Sequence, residues 1–232
     1  MFYREAGDFS TTYREDSQTF PIKFDRYRYY AILVIAFAII PFLLNDYWVN
    51  AIFLPFLIYF KNKSNLPKWI PTFYLIAIVI CSLGWELWFT FGWLDGDPVD
   101  IRRSENLNTW LPKNINWLMN SMGDAGAVLL GGVWLMWISH GKDKSIFMKW
   151  KWSAFAVLLL WCIGQNILVE MFLYHDQLAE GKALSWAPLS PLGPYINPIL
   201  FEFNERTIML QSQMPWLLLP WFFYRTLINL NK

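Results

Sequence analysis

The charges of this 232-residue chain are gathered into short segments between long apolar runs, and that distribution constrains the fold more than any motif does. A helix on the surface of a water-soluble domain carries polar residues along one whole face. Here Trp69 to Trp93 holds one charged residue, Glu86; Trp117 to Ser139 holds Asp124 alone; Trp152 to Tyr174 holds Glu170 alone. Charged residues make up 16% of the chain against about 25% in an ordinary soluble domain, too few to coat every helix. These runs predict an all-α polytopic transmembrane bundle of about six spans, near residues 29–44, 47–60, 69–93, 117–139, 152–174 and 209–230. A polar tail, residues 1–28, precedes a helical domain over 29–232. The run 47–60 is the shortest, rising about 21 Å against a hydrocarbon core of about 30 Å.

The basic residues suggest an orientation. Lys61, Lys63 and Lys68 fall in one connection, and Lys142, Lys144, Lys149 and Lys151 fall in another. Six spans put both, with the amino-terminal tail, on the side where Lys and Arg are retained. The expectation is a multi-pass protein of the inner membrane of a bacterium, with a cytoplasmic amino terminus. The first apolar run follows a heavily charged tail and does not read as a signal peptide.

Within that topology several helices place polar groups in one layer. Glu86 lies seven residues before the end of its run and Asp124 seven after the start of the next, each about 10 Å deep. Gln165, Asn166 and Glu170 occupy the corresponding half of their run, and Gln211 and Gln213 open the last. Asn166 and Glu170 are four apart and share a helical face. A carboxyl in hydrocarbon costs about 2.5 to 3.5 kcal/mol, which favours an inward orientation for Glu86 and Asp124. Such acids suit acid catalysis on an alkene or epoxide, proton-coupled transport, or binding of a cation. Helix packing alone accounts for the same residues as structural polar groups. Gly84, Gly123 and Gly126 flank the two acids and permit close helix approach.

Other features point less far. A net charge of +1 supplies no basic field for nucleic acid. Cys81 and Cys162 lie inside apolar runs as small hydrophobes, and His140 and His175 lie at different edges, so no metal ligand set is expected. Asp95-Gly96-Asp97-Pro98 reads first as a turn, and the proline-rich stretch Ser185 to Pro198 is a candidate cap over the polar layer.

Two resemblances accompany these readings. Residues 1–60, MFYREAGDFSTTYREDSQTFPIKFDRYRYY through NDYWVNAIFLPFLIYF, resemble the amino terminus of permease subunits of branched-chain amino acid ABC importers. That family continues into a glycine-rich segment and a longer core, where this chain has Lys61-Asn62-Lys63-Ser64-Asn65. Gly84-Trp85-Glu86, in the portion 69–230, is similar to a motif of the small integral membrane terpene cyclases, which usually have seven spans. That likeness implies an acid role for Glu86; the family's second acid has no matching position, and Asp124 or Glu170 is assigned from depth.

The expectation carried forward is a membrane-embedded, cofactor-free cyclase, isomerase, lyase or hydratase acting on a lipophilic, isoprenoid-like small molecule. Glu86, Asp124 and Glu170 are its candidate catalytic acids; Trp85, Trp88, Trp117, Trp161, Gln165, Asn166 and Tyr174 are the candidate substrate-binding residues. Cation–π attraction from the indoles suits a carbocation, and ordinary packing explains them as well. The bilayer is the expected partner, nucleic acid is not, and no protein partner is specified. A permease-like transport subunit and a non-catalytic membrane assembly subunit are the alternatives.

Overall fold

Gly84 divides the run that begins at Trp69 into two helices, α1 (Ile70–Leu83) and α2 (Trp85–Phe91), bent by 42°. A computed structural model describes Tyr59, Lys61, Ser64 and residues 66–92, 98–172, 193–203 and 206–232, all within one compact unit. Pro71 stands in the first turn of α1, where its missing N–H breaks no helical bond. At Gly84 a Cβ would lie 2.6 Å from the Ile80 carbonyl oxygen, so the break accepts only a residue without one.

Two short helices follow, α3 (Val99–Arg102) and α4 (Glu105–Trp110), the second capped by the Ser104 side chain, which accepts from Leu107 N–H. Then α5 (Lys113–Gly123) runs into a π-helical segment, Asp124–Leu130, and on into α6 (Gly131–Ser139), making 27 continuous residues. A 3-10 turn, Lys144–Phe147, leads to α7 (Trp152–Phe172). Strands β1 (Ile199–Phe203) and β2 (Arg206–Met209) pair antiparallel, and α8 (Leu210–Leu230) starts directly from β2. Asn197 caps α8: its side-chain oxygen accepts from Gln211 N–H at 3.0 Å.

The apolar core lies where α1, the π-helical segment, α6, α7 and α8 meet, around Phe73, Cys81, Leu129, Met136, Leu158 and Phe223. Gly132 lets α6 and α7 close up, since a Cβ there would stand 2.6 Å from Leu158 Cδ1. Ring contacts mark the two ends. Trp69 meets Phe147, and Trp150 meets Tyr224, at one end. Phe91 meets Trp117, and Phe172 meets Phe203, on elements that finish at the other.

This architecture corrects the six-span bundle. Among the described residues two helices are long and apolar enough to cross a membrane, Lys113–Ser139 and Trp152–Phe172, and a third if the bent pair Ile70–Leu83 with Trp85–Phe91 is one span. The run 209–230 is helical, but its buried Gln211, Ser212 and Gln213 and its two prolines leave it below that level of apolarity. The tail, the span 29–44, and all but Tyr59 of the span 47–60 and of the permease-like stretch 1–60 lie outside the described residues. The multi-pass inner-membrane topology read from six crossings is therefore not supported. The described residues are mainly helical, with one unforeseen hairpin among them inside what reads as a connection.

Candidate functional site

A stripe of polar side chains runs along the contact between α2 and α5. Asn116, Asn120 and Asp124 are spaced by four residues and share one face, and Glu86 and Thr90, also four apart, share a face of α2. All but Asp124 are buried, Thr90 completely. The Glu86 carboxyl faces the Asp124 carboxyl and the Asn120 side chain closely enough for each to act on its charge. Trp85 Nε1 donates to Asp124 Oδ2 at 3.0 Å, which orients that carboxyl from the neighbouring position on α2.

Both helices depart from regular α-geometry at this point. Glu86 is two residues past the Gly84 break, and Asp124 is the first residue of the π-helical segment. A π-helical insertion widens the turn and re-aims the side chains around it, a device frequent at functional sites. Local irregularity in two elements thus coincides with the meeting of two acids.

Several buried atoms along the seam have no protein partner among the described residues: Glu86 Oε2, Thr90 Oγ1, Asn120 Oδ1 and Asn116 Nδ2. Buried polar groups are nearly always hydrogen-bonded, so four such atoms on one stripe mark a place built for something polar. The far end of the stripe is closed by arginines. Arg103 Nη1 donates to Asn116 Oδ1 at 3.1 Å and its Nη2 to the Leu111 carbonyl at 2.8 Å. Arg102 lies over the Phe89 ring, 4.4 Å from its centroid, and donates to the Phe89 carbonyl.

Glu170 belongs to a different network. Gln213 Nε2 donates to Glu170 Oε2 at 2.7 Å, and Asn166 Nδ2 donates to Gln213 Oε1 at 2.9 Å. Arg206 Nη1 donates to the Glu170 carbonyl at 2.6 Å, tying β2 to the end of α7. These bonds join α7 to the hairpin and to the start of α8, a role consistent with fastening three elements.

The remaining candidates divide in the same way. Trp85 is at the acid pair, while Trp117 Nε1 donates to the Ser82 carbonyl at 2.7 Å and Trp161 Nε1 to the Val128 carbonyl at 2.9 Å. Gln165 Nε2 donates to the Cys162 carbonyl at 2.9 Å within its own helix, and Trp88 stands on the exposed face of α2. Tyr174, Asp95, Asp97 and residues 185–192 lie outside the described residues. Asn116, Thr90 and Arg103 complete the stripe without having been singled out; the four-residue spacing of 116, 120 and 124 is the signal that reveals them.

No family model matches this chain, and no curated protein or solved structure does either. The expected cyclase, isomerase, lyase or hydratase is corrected here. Among the described residues two helices, or three with the bent pair, are long and apolar enough to cross a membrane, no catalytic constellation of three acids is assembled, and no group of three or more His, Cys, Asp or Glu side chains converges. The permease-like transport and membrane assembly alternatives, given for a polytopic bundle, are corrected with it.

Proposed function

We propose that the Glu86–Asp124 pair is a proton-binding site, and that the polar stripe between α2 and α5 is the route by which the proton enters and leaves. One observation carries this reading: two carboxyls from separate elements, Glu86 buried and Asp124 half-buried, face each other, and Glu86 Oε2 has no protein partner among the described residues. Carboxylates are acceptors only, so the two carboxyls can bond to each other only by sharing a proton. Trp85 supplies a donor to Asp124 Oδ2, and a shared proton is the link proposed between Asp124 and Glu86. Asn120 and Asn116 continue the line of polar atoms for about 12 Å along α5, from Asp124 toward Arg103, with Thr90 beside them on α2.

Lipid is proposed as the partner of the outer faces. Leu75 and Leu83 on α1, and Leu168 on α7, are turned outward, and Leu160 is 71% exposed, while Asn116, Ser121, Ser212 and Gln213 are buried. Apolar outside and polar inside is the arrangement that lipid favours and water opposes.

Infrared difference spectra of the lipid-reconstituted full chain, recorded as pH is stepped, test the site. The expected result is a protonated-carboxyl C=O band at neutral pH that Glu86→Gln and Asp124→Asn each remove, with helix content by circular dichroism unchanged. A band that survives both variants, or that only Glu170→Gln removes, overturns the assignment.

A further inference from the structure

The exposed charges of the described residues are sorted by end. The ring contacts Trp69 with Phe147 and Trp150 with Tyr224 bring three basic segments to one end of the helices. Lys68, Lys142, Lys144, Lys149 and Arg225 are all exposed there. Asp143 is the acid at this end, and it is engaged by Lys151 at 2.8 Å. Elsewhere the described cations are committed internally. Arg102, Arg103 and Arg206 are buried, and Lys113 pairs with Asp100 at 2.9 Å.

The same end carries apolar rings and chains at the surface. Trp152 is 65% exposed and Met148 63%, and Trp152 packs edge-on against Trp150 and Trp221. Directly beyond this ring cluster begin the two helices apolar enough to cross a membrane, through Ser139 on one side and Trp152 on the other. Indole at the boundary with lysine just outside it is the combination that settles at the headgroup level of a bilayer.

We infer that this lysine-rich end is a docking surface for anionic lipid headgroups, which fit an excess of positive charge set beside exposed indole. The inference rests on the lipid reading of the outer faces and goes further by giving the contact a headgroup class and a location. Lys144 and Lys149 enter no ion pair among the described residues, so their ammonium groups are available to phosphate oxygens. Charge complementarity favours lipid over a protein partner because the cations ring the mouths of the apolar helices instead of forming a separate patch.

Binding of a fluorescent phosphatidylglycerol and of its phosphatidylcholine counterpart to the detergent-purified full chain provides the test. Phosphatidylglycerol is expected to bind more tightly at low salt, with the preference lost at high salt. Lys144→Gln with Lys149→Gln is expected to weaken phosphatidylglycerol binding about thirtyfold, and Lys144→Arg with Lys149→Arg to retain it. Equal binding of the two lipids, displacement by millimolar inorganic phosphate alone, or an unaffected double glutamine variant overturns the proposal. Flotation with neutral phosphatidylcholine vesicles separates the two readings. Flotation without anionic preference removes this inference and leaves the lipid reading; absence of flotation removes both.

Discussion

At the scale of single residues, the indole of Trp85 and the phenol of Tyr224 do more than fill space. Trp85→Phe keeps the ring against Trp216 but removes the donor to Asp124, leaving a half-buried acceptor without it. The expected cost is about 1–3 kcal/mol, read as a lower unfolding midpoint, with a shift of the Asp124 carboxyl band in the infrared. Tyr224 Oη donates to the Ile146 carbonyl at 2.8 Å and accepts from Lys151 N–H at 3.1 Å, so one hydroxyl fastens the 140–151 connection to α8. Tyr224→Phe removes both bonds at constant shape, and a loss of about 1–3 kcal/mol is expected in thermal unfolding. The acids Glu86, Asp124 and Glu170 were all visible in the sequence as lone charges in apolar runs. Which two of them meet was not, because depth along a helix says nothing of the direction in which a side chain points.

At the scale of elements, close approach and irregular geometry decide the packing. Gly132→Ala would press a methyl group against Leu158 Cδ1 and Trp161 Cδ1, which lie 2.6 and 3.0 Å from the ideal Cβ position. Overpacking of this kind costs about 1–3 kcal/mol, and a lowered melting temperature with unchanged helix content is the expected readout. The connection between α6 and α7 is held from outside by Asp143, whose carboxylate accepts from Lys151 Nζ and from Ser145. Those hydrogen bonds hold the Asp143 carboxyl below its ordinary value. Because the folded value is depressed, the contribution is present above the unfolded value of about 3.9 and fades as pH falls through the folded one. Asp143→Asn is therefore expected to lower the melting temperature slightly at neutral pH and to match the wild type in strong acid. The lysine-rich connection was legible from composition, and so was the run 152–174, of which the described part, to Phe172, is helical. The Gly84 break, the π-helical segment and the 199–209 hairpin were not, since each arises where tertiary contacts override a local pattern that reads as uninterrupted helix or loop.

At the scale of the whole molecule, stability is concentrated where α1, the π-helical segment, α7 and α8 share one apolar core. Amide hydrogen exchange of the full chain is expected to be slowest at residues 73–81, 154–162 and 223–228, and faster in β1, whose five residues are all exposed. Uniform protection across the hairpin and the core would contradict that distribution. Apolar run length and charge spacing by themselves determined that the described runs are helical, that the charges fall between apolar runs, and that three acids sit within those runs, because these properties belong to short stretches of chain. Where the helices break, which acids face each other, and which cations stay exposed were decided only by the tertiary structure. Those outcomes depend on contacts between residues far apart in sequence, such as Trp85 with Asp124 and Gln213 with Glu170, and no local pattern encodes the partner across such a separation.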